Sequence, residues 1–240
     1  GFASVNAGAM HACGHDGHAA SGLGVATVLM QIKEHLHGTI KLIFQPGEES
    51  PGGAKYLCET GMFASFNVEA IFGLHLWPAL EKGVVFSRKS ELMARSSEVN
   101  LDIYGKSAHI ARADLGIDSL AAGMEFYRRA VAMEQALPEH IFRLLKFGKM
   151  ESGSVCNAIS DHTHMEGSLR AFQDEVFYSL RAGIVSIGKD IERQTGCTVS
   201  IYMNDGYPAV MNPADLFKRV QKAVTFEALD KPSMITEDFS

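Results

Sequence analysis

No stretch of this chain approaches the roughly 20 consecutive apolar residues that a bilayer-spanning helix needs, so no membrane partner is read from it. Cysteine is sparse: the 240 residues hold four, Cys13, Cys58, Cys156 and Cys197. They form no CxxC pair and no dense framework, which fits a reducing, cytoplasmic setting. Cys58, Cys156 and Cys197 are expected to be small buried hydrophobes. A basic excess is missing too. The 22 Lys and Arg against 28 Asp and Glu leave a net charge of -6, which argues against a nucleic-acid partner. Internal repeats and low-complexity segments are absent. What remains is ordinary for a globular protein: 46% hydrophobic and 21% charged, long enough for a full core in one domain or two.

Metal-binding side chains, by contrast, are concentrated. Residues 10–18 read MHACGHDGH and hold three histidines, a cysteine and an aspartate. Residues 45–53, QPGEESPGG, place Glu48 beside Glu49, and residues 73–78, GLHLWP, add His75. Thiolate, imidazole and carboxylate together are the donor set of a zinc-like or manganese-like hydrolytic site. In an extended strand end Cys13 and His15, two apart, would point the same way. His11 and His18 would bind too, or orient the others, and Asp16 would hold an imidazole in one tautomer. Adjacent glutamates diverge, so one can bind metal while the other handles a proton.

The first 90 or so residues alternate helix and strand signals, as an α/β domain does. Helical spacing covers residues 19–36, with Leu23, Val25, Leu29 and Ile32 among its apolar positions, and residues 54–60 before Gly61. Apolar runs at 39–44 and 70–74 read as strands. The middle has another rhythm. Val99, Leu101 and Ile103 alternate; Leu120, Met124, Tyr127 and Val131 follow helical spacing; residues 142–147 and 163–169 are strand-like. Phe177, Leu180, Ile184, Ile187 and Ile191 make a second helical stripe, and Val199, Ile201 and Met203 alternate again. That order, β-α-β-β-α-β, is the ferredoxin-like split unit. Asn212-Pro213 then reads as an N-cap followed by Pro at the first helical position. The expected architecture is an α/β catalytic domain (residues 1–93), an inserted β-α-β-β-α-β domain (94–205), and a return to the first domain (206–240).

The three donor segments resemble those of the metal-dependent amidohydrolases related to metallopeptidases: aminoacylases, hippurate hydrolases, auxin-conjugate hydrolases and N-acetyldiaminopimelate deacetylases. Further segments match in order: GKSAHIA (105–111), CNAISD (156–161), EGSLR (166–170), GYPAVMN (206–212) and TEDFS (236–240). The resemblance implies two divalent ions, Mn²⁺ or Zn²⁺ with Co²⁺ or Ni²⁺ as alternatives. Cys13 would be a bridging ligand, with His15, Glu49 and His75 as further ligands. Glu48 would be the general base. His109 would polarise the scissile carbonyl or stabilise the oxyanion from a lid, within one subunit or across a dimer interface. Asn157 and Arg170 would bind a substrate carboxylate, and Glu237 would lie near the metals. The inserted domain would serve as lid and dimerisation domain in a homodimer. Catalytic-domain segments before residue 1 and after residue 240, including a last histidine ligand, are also implied.

The reaction implied is hydrolysis of the amide bond of an N-acyl amino acid. The alternatives are a dipeptidase or aminopeptidase on the same scaffold, which needs a site for a free α-amine, and a metal-binding homologue without turnover.

Overall fold

A left-handed glycine starts the first helix. Gly14 (φ 83°, ψ 19°) precedes α1 (His15–Gln31), which opens four residues earlier than its apolar pattern suggests and gives way to a 3₁₀ turn at Lys33–His35. Helices α2 (Gly53–Glu59) and α3 (Met62–Ser65) follow, each led in by a glycine with positive φ, Gly52 and Gly61. The computed structural model describes residues 3–49, 52–224 and 227–228, and the chain divides into two compact units at Val84/Val85. In the first unit, α1 buries none of its residues; Leu23, Val25 and Ile32 of its apolar set are exposed. The strands expected at 39–44 and 70–74 are not formed as such. A strand exists through cross-strand N–H···O=C bonds, and among the described residues neither segment joins a ladder.

The second unit begins with β1 (Phe86–Ser87), β2 (Ser90–Met93) and β3 (Arg95–Tyr104). It continues through α4 (Ser119–Gln135), β4 (Arg143–Ser152), β5 (His162–Ala171), α5 (Asp174–Thr195) and β6 (Thr198–Met203). It closes with β7 (Val210–Asn212), α6 (Ala214–Ala223) and β8 (Glu227–Ala228). Strands β3 to β6 form one antiparallel sheet in the order β4-β5-β3-β6. This is the β-α-β-β-α-β succession that the periodicities predict. Val99, Leu101 and Ile103 are fully buried on one face, where they meet Leu145, Met165 and Leu169 beneath both long helices. Phe177, Leu180, Ile184 and Ile191 of α5 complete that core as the sequence stripe indicates.

Helix α4 presents a different face from the expected one. Leu120, Met124 and Tyr127 are exposed at 43%, 62% and 45%, while Ser119, Ala122, Gly123, Phe126 and Ala130 are buried. The reason is how close the helix comes to the sheet. A Cβ on Gly123 would meet Thr163 Cγ2 at 2.8 Å, so the face that carries Gly123 is the one that fits against the sheet.

The chain enters and leaves the sheet side by side. β2 pairs antiparallel with β7, and β1 pairs parallel with β8. Arg95 fastens this end: its Nη1 bonds Asp174 at 2.9 Å and its Nε donates to the Asp205 carbonyl at 3.0 Å, while Arg181 reaches the Asp205 carboxylate at 3.2 Å. Pro213 sits at the cap of α6, whose first helical residue is Ala214. Asn212, expected as the cap, instead ends β7 and donates its side-chain amide to the Arg88 carbonyl at 2.7 Å. Among the described residues, no helix is long and apolar enough to cross a membrane.

Candidate metal centre

Cys13 and His15 share a side for a reason other than the extended geometry expected of them. The left-handed turn at Gly14 redirects the chain between them, so that His15 is already the first residue of α1. Two close approaches bring α1 against residues 75–76. A Cβ at Gly17 would lie 2.5 Å from Leu76 Cδ1, and one at Gly14 would be 3.5 Å from Leu76. Cys13 Sγ then stands 3.3 Å from His75 Nε2. His15 Nε2 lies 3.1 Å from Glu48 Oε2 and 3.6 Å from Glu49 Oε1. Ligand atoms of Cys13, His15 and His75 all fall within 4.8 Å of one another, as do those of His15, Glu48 and Glu49. His15 belongs to both groups.

Backbone bonds orient the two neighbouring imidazoles oppositely. His75 Nδ1 donates to the Leu76 carbonyl at 2.6 Å, leaving its Nε2 lone pair toward Cys13. His18 does the reverse: its Nε2 accepts the Leu76 N–H at 2.9 Å. Burial, then the nearby His75 and His15, push the His18 imidazole below its usual value, which suits a neutral acceptor. His18 therefore positions the Leu76 backbone that in turn orients His75. His11 and Asp16 are exposed.

The donors fit a transition-metal pair. His15 Nε2 is buried and makes no hydrogen bond, with the carboxylate oxygens of Glu48 and Glu49 as near neighbours, a gathering of donor atoms that a metal ion would satisfy. Sulfur, imidazole and carboxylate are the ligands such ions take.

The glutamate loop is shaped by glycine. Gly52 and Gly53 N–H both donate to the Gly47 carbonyl, at 3.1 and 2.8 Å, and a Cβ on Gly53 would lie 1.8 Å from the Pro46 carbonyl oxygen. Gly53→Ala is therefore expected to displace the strand of chain carrying Glu48 and Glu49. Metal affinity should fall about 10–100-fold, the usual cost of disturbing what holds a ligand, as read by calorimetric titration. Unchanged affinity would mean that the loop yields without moving its carboxylates.

In the second unit, residues 105–110 meet residues 157–161. Ile159 N–H donates to the Ala108 carbonyl at 2.8 Å, Ile110 N–H to the Asn157 carbonyl at 2.9 Å, and Gly105 N–H to the Asp161 carbonyl at 2.7 Å. His109 and Asn157 thus ride on one short ladder. Beneath it, Ser119, Ser152, Ser160 and Thr163 join their hydroxyls at 2.6–3.2 Å. Nothing in the sequence announces that buried network, because hydroxyl residues near turns are usually solvated.

Arg170 is placed elsewhere. It lies near the far end of β5, its Nε donating to Ser168 Oγ at 3.2 Å. From His162, where the Asn157 loop joins β5, to Arg170 is eight residues, or about 26 Å of strand. One copy of the sheet therefore holds Asn157 and Arg170 apart rather than side by side. Glu237 lies outside the described residues.

His162 and His164 share one partner on the sheet's open face. Both bond Asp102 Oδ1, at 2.8 and 2.9 Å, and His164 Nε2 also reaches Glu166 at 3.0 Å. Burial alone would raise the Asp102 carboxyl, but these bonds outweigh it and hold it below the usual value; the two carboxylates raise His164. The cross-strand register Asp102↔His164 creates the cluster, and register is not readable from one strand's sequence. Of the cysteines expected to be buried, Cys197 is; Cys58 and Cys156 are exposed, since the segments carrying them face outward.

The sequence profile described as Peptidase family M20/M25/M40 matches residues 1–240. An N-acetyldiaminopimelate deacetylase of Oceanobacillus iheyensis is 31% identical over 99% of this chain and 65% of its own length. A solved protein of methicillin-resistant Staphylococcus aureus superposes with a TM-score of 0.89 at 29% identity, over 99% of this chain and 64% of that one. A Bacillus subtilis structure described as a dinuclear metal-binding peptidase of the M20 family gives 0.76 at 29% identity, over 99% and 62%. The chain thus spans just under two thirds of the length of these relatives. With a family match running its whole length, over the Cys-His-Glu-Glu-His convergence described above, this chain belongs to the M20/M25/M40 peptidase family.

Proposed function

We propose that this chain carries the metal-binding face and the lid of an amidohydrolase that cleaves the amide bond of N-acyl amino acids. The observation that carries this reading is the convergence of Cys13, His15, Glu48, Glu49 and His75 into two donor groups that share His15. Cys13, His15, Glu49 and His75 would hold two divalent ions, Mn²⁺ or Zn²⁺. Such ions, when bound, lower the pKa of water and polarise an amide carbonyl. Glu48 takes the proton of the attacking water and delivers it to the departing amine nitrogen. His109 donates a hydrogen bond to the oxyanion. The products are a carboxylic acid and an amino acid.

Asn157 and Arg170 bind the substrate carboxylate, Arg170 through its fork of N–H donors. Because they stand at opposite ends of the sheet, one substrate would take Arg170 from one subunit and His109 with Asn157 from the other, in a homodimer. The exposed ridge of Leu120, Met124 and Tyr127 on α4 supports such pairing through this domain. Residues 94–205 would be the inserted lid, with 1–93 and 206–240 belonging to the catalytic domain. The deacetylase relative points to N-acetyl amino acids of the diaminopimelate kind within the substrate class.

The test is hydrolysis by the full-length protein of N-acetyl amino acids, hippurate, N-acetyldiaminopimelate and unblocked dipeptides, with Mn²⁺ or Zn²⁺ and again with chelator. Chelator-sensitive release of an amino acid from a blocked substrate is expected. Turnover of dipeptides alone would replace this reading with a peptidase, and metal binding without any turnover would replace it with a non-catalytic homologue.

A further inference from the structure

We infer that the backbone N–H of Ala111 is a positioning group for His109, holding its imidazole in the Nε2–H tautomer with the donating edge turned away from the backbone. His109 (φ −58°, ψ 136°) caps the 3₁₀ segment Ile110–Leu115. Such a cap is usually Ser, Thr, Asp or Asn, because an oxygen must meet an orphan N–H of the first turn. Here a ring nitrogen fills that place: Ala111 N–H donates to His109 Nδ1 at 3.2 Å. A nitrogen that accepts an N–H has its lone pair there and no proton, so a neutral ring carries its proton on Nε2. The other tautomer would set two N–H groups against each other at this distance.

The ring's support is itself fixed. Arg112 N–H donates to the His109 carbonyl at 2.7 Å, and the bonds from Ile110 to Asn157 and from Ile159 to Ala108 hold the chain on both sides of the histidine. His109 is exposed, and the Nδ1 that meets the Ala111 N–H leaves Nε2 on the other edge of the ring. A free imidazole exchanges both tautomers. One locked as a donor needs no rearrangement when negative charge develops before it. That consequence rests on the proposed reaction, whereas the tautomer rests on the geometry alone.

The measurement is ¹⁵N NMR of the protein without metal, with the His109 signals assigned by their loss in His109→Gln. The expected result is a through-hydrogen-bond coupling between the Ala111 amide nitrogen and His109 Nδ1, with Nε2 protonated. Protonated Nδ1, or two nitrogens averaged as in free imidazole, would overturn the inference. Two variants separate positioning from donation. His109→Asn keeps an acceptor for Ala111 N–H but loses the reach of Nε2; His109→Gln keeps a reaching N–H but loses the cap. Ala111 amide exchange should be about tenfold faster in His109→Gln than in His109→Asn, the size of a typical cap contribution. The kcat of His109→Asn should fall about 10²–10³-fold, as for loss of one oxyanion donor, and that of His109→Gln should fall less, with little change in KM for either. Equal Ala111 exchange in both variants would sink the cap. If no amide substrate is ever turned over, the proposed function fails while the coupling still decides the tautomer.

Discussion

Glu48→Gln is expected to lower kcat about 10²–10⁴-fold, the range contributed by a positioned general acid–base, while metal content stays at the parent level. The amide is the same shape as the carboxylate but cannot take a proton at neutral pH. Glu49→Gln is expected to behave in the opposite way, weakening metal binding first. The pair needs this comparison because both carboxylates approach the same imidazole: Glu48 Oε2 is 3.1 Å and Glu49 Oε1 3.6 Å from His15 Nε2. Metal analysis alongside steady-state kinetics reads both variants. If Glu48→Gln lost metal and Glu49→Gln kept metal but not turnover, the two roles would be exchanged. Full activity in Glu48→Gln would remove it from the mechanism.

Phe126→Ala is expected to cost about 3–5 kcal/mol, the usual range for emptying an aromatic site in a core. This should lower the melting temperature of the second unit by roughly 10 °C or more. Phe126 is fully buried in the cluster between α4, α5 and the sheet, and its ring meets Phe147 edge-on at 6.1 Å. The neighbouring Met124→Ala is the control. Met124 is 62% exposed, so its loss should change stability by no more than about 0.5 kcal/mol. Calorimetry of both variants reads the outcome. Similar losses in the two would mean that α4 lies on the sheet by the Leu120–Met124–Tyr127 face that its apolar spacing favours.

How much was legible in the sequence differs between the two units. In the second, Val99, Leu101 and Ile103 announce a strand because a sheet covered on one face demands alternation, and Phe177 to Ile191 announce a helix for the matching reason. The face of α4 was hidden because contact distance, set by Gly123 against Thr163, outweighed side-chain hydrophobicity. In the first unit, the apolar runs at 39–44 and 70–74 state a preference for extended chain. Ladders need partners, and a single segment's sequence does not contain them.

For the candidate site, the sequence by itself determined the inventory of donors and their family. Thiol, imidazole and carboxylate in MHACGHDGH, QPGEESPGG and GLHLWP are chemistry that needs no coordinates to recognise. Only the tertiary structure decided which of the histidines turns its lone pair to the cluster. His75 is aimed by the Leu76 carbonyl, His18 is occupied by the Leu76 N–H, and His11 is left exposed. Likewise, only the pairing of residues 105–110 with 157–161 brings His109 beside Asn157, and only the length of β5 separates Asn157 from Arg170. Residue type sets what a group can bind. The hydrogen bonds that fix its tautomer, and the register that chooses its neighbours, join segments far apart in the chain and exist only once it has folded.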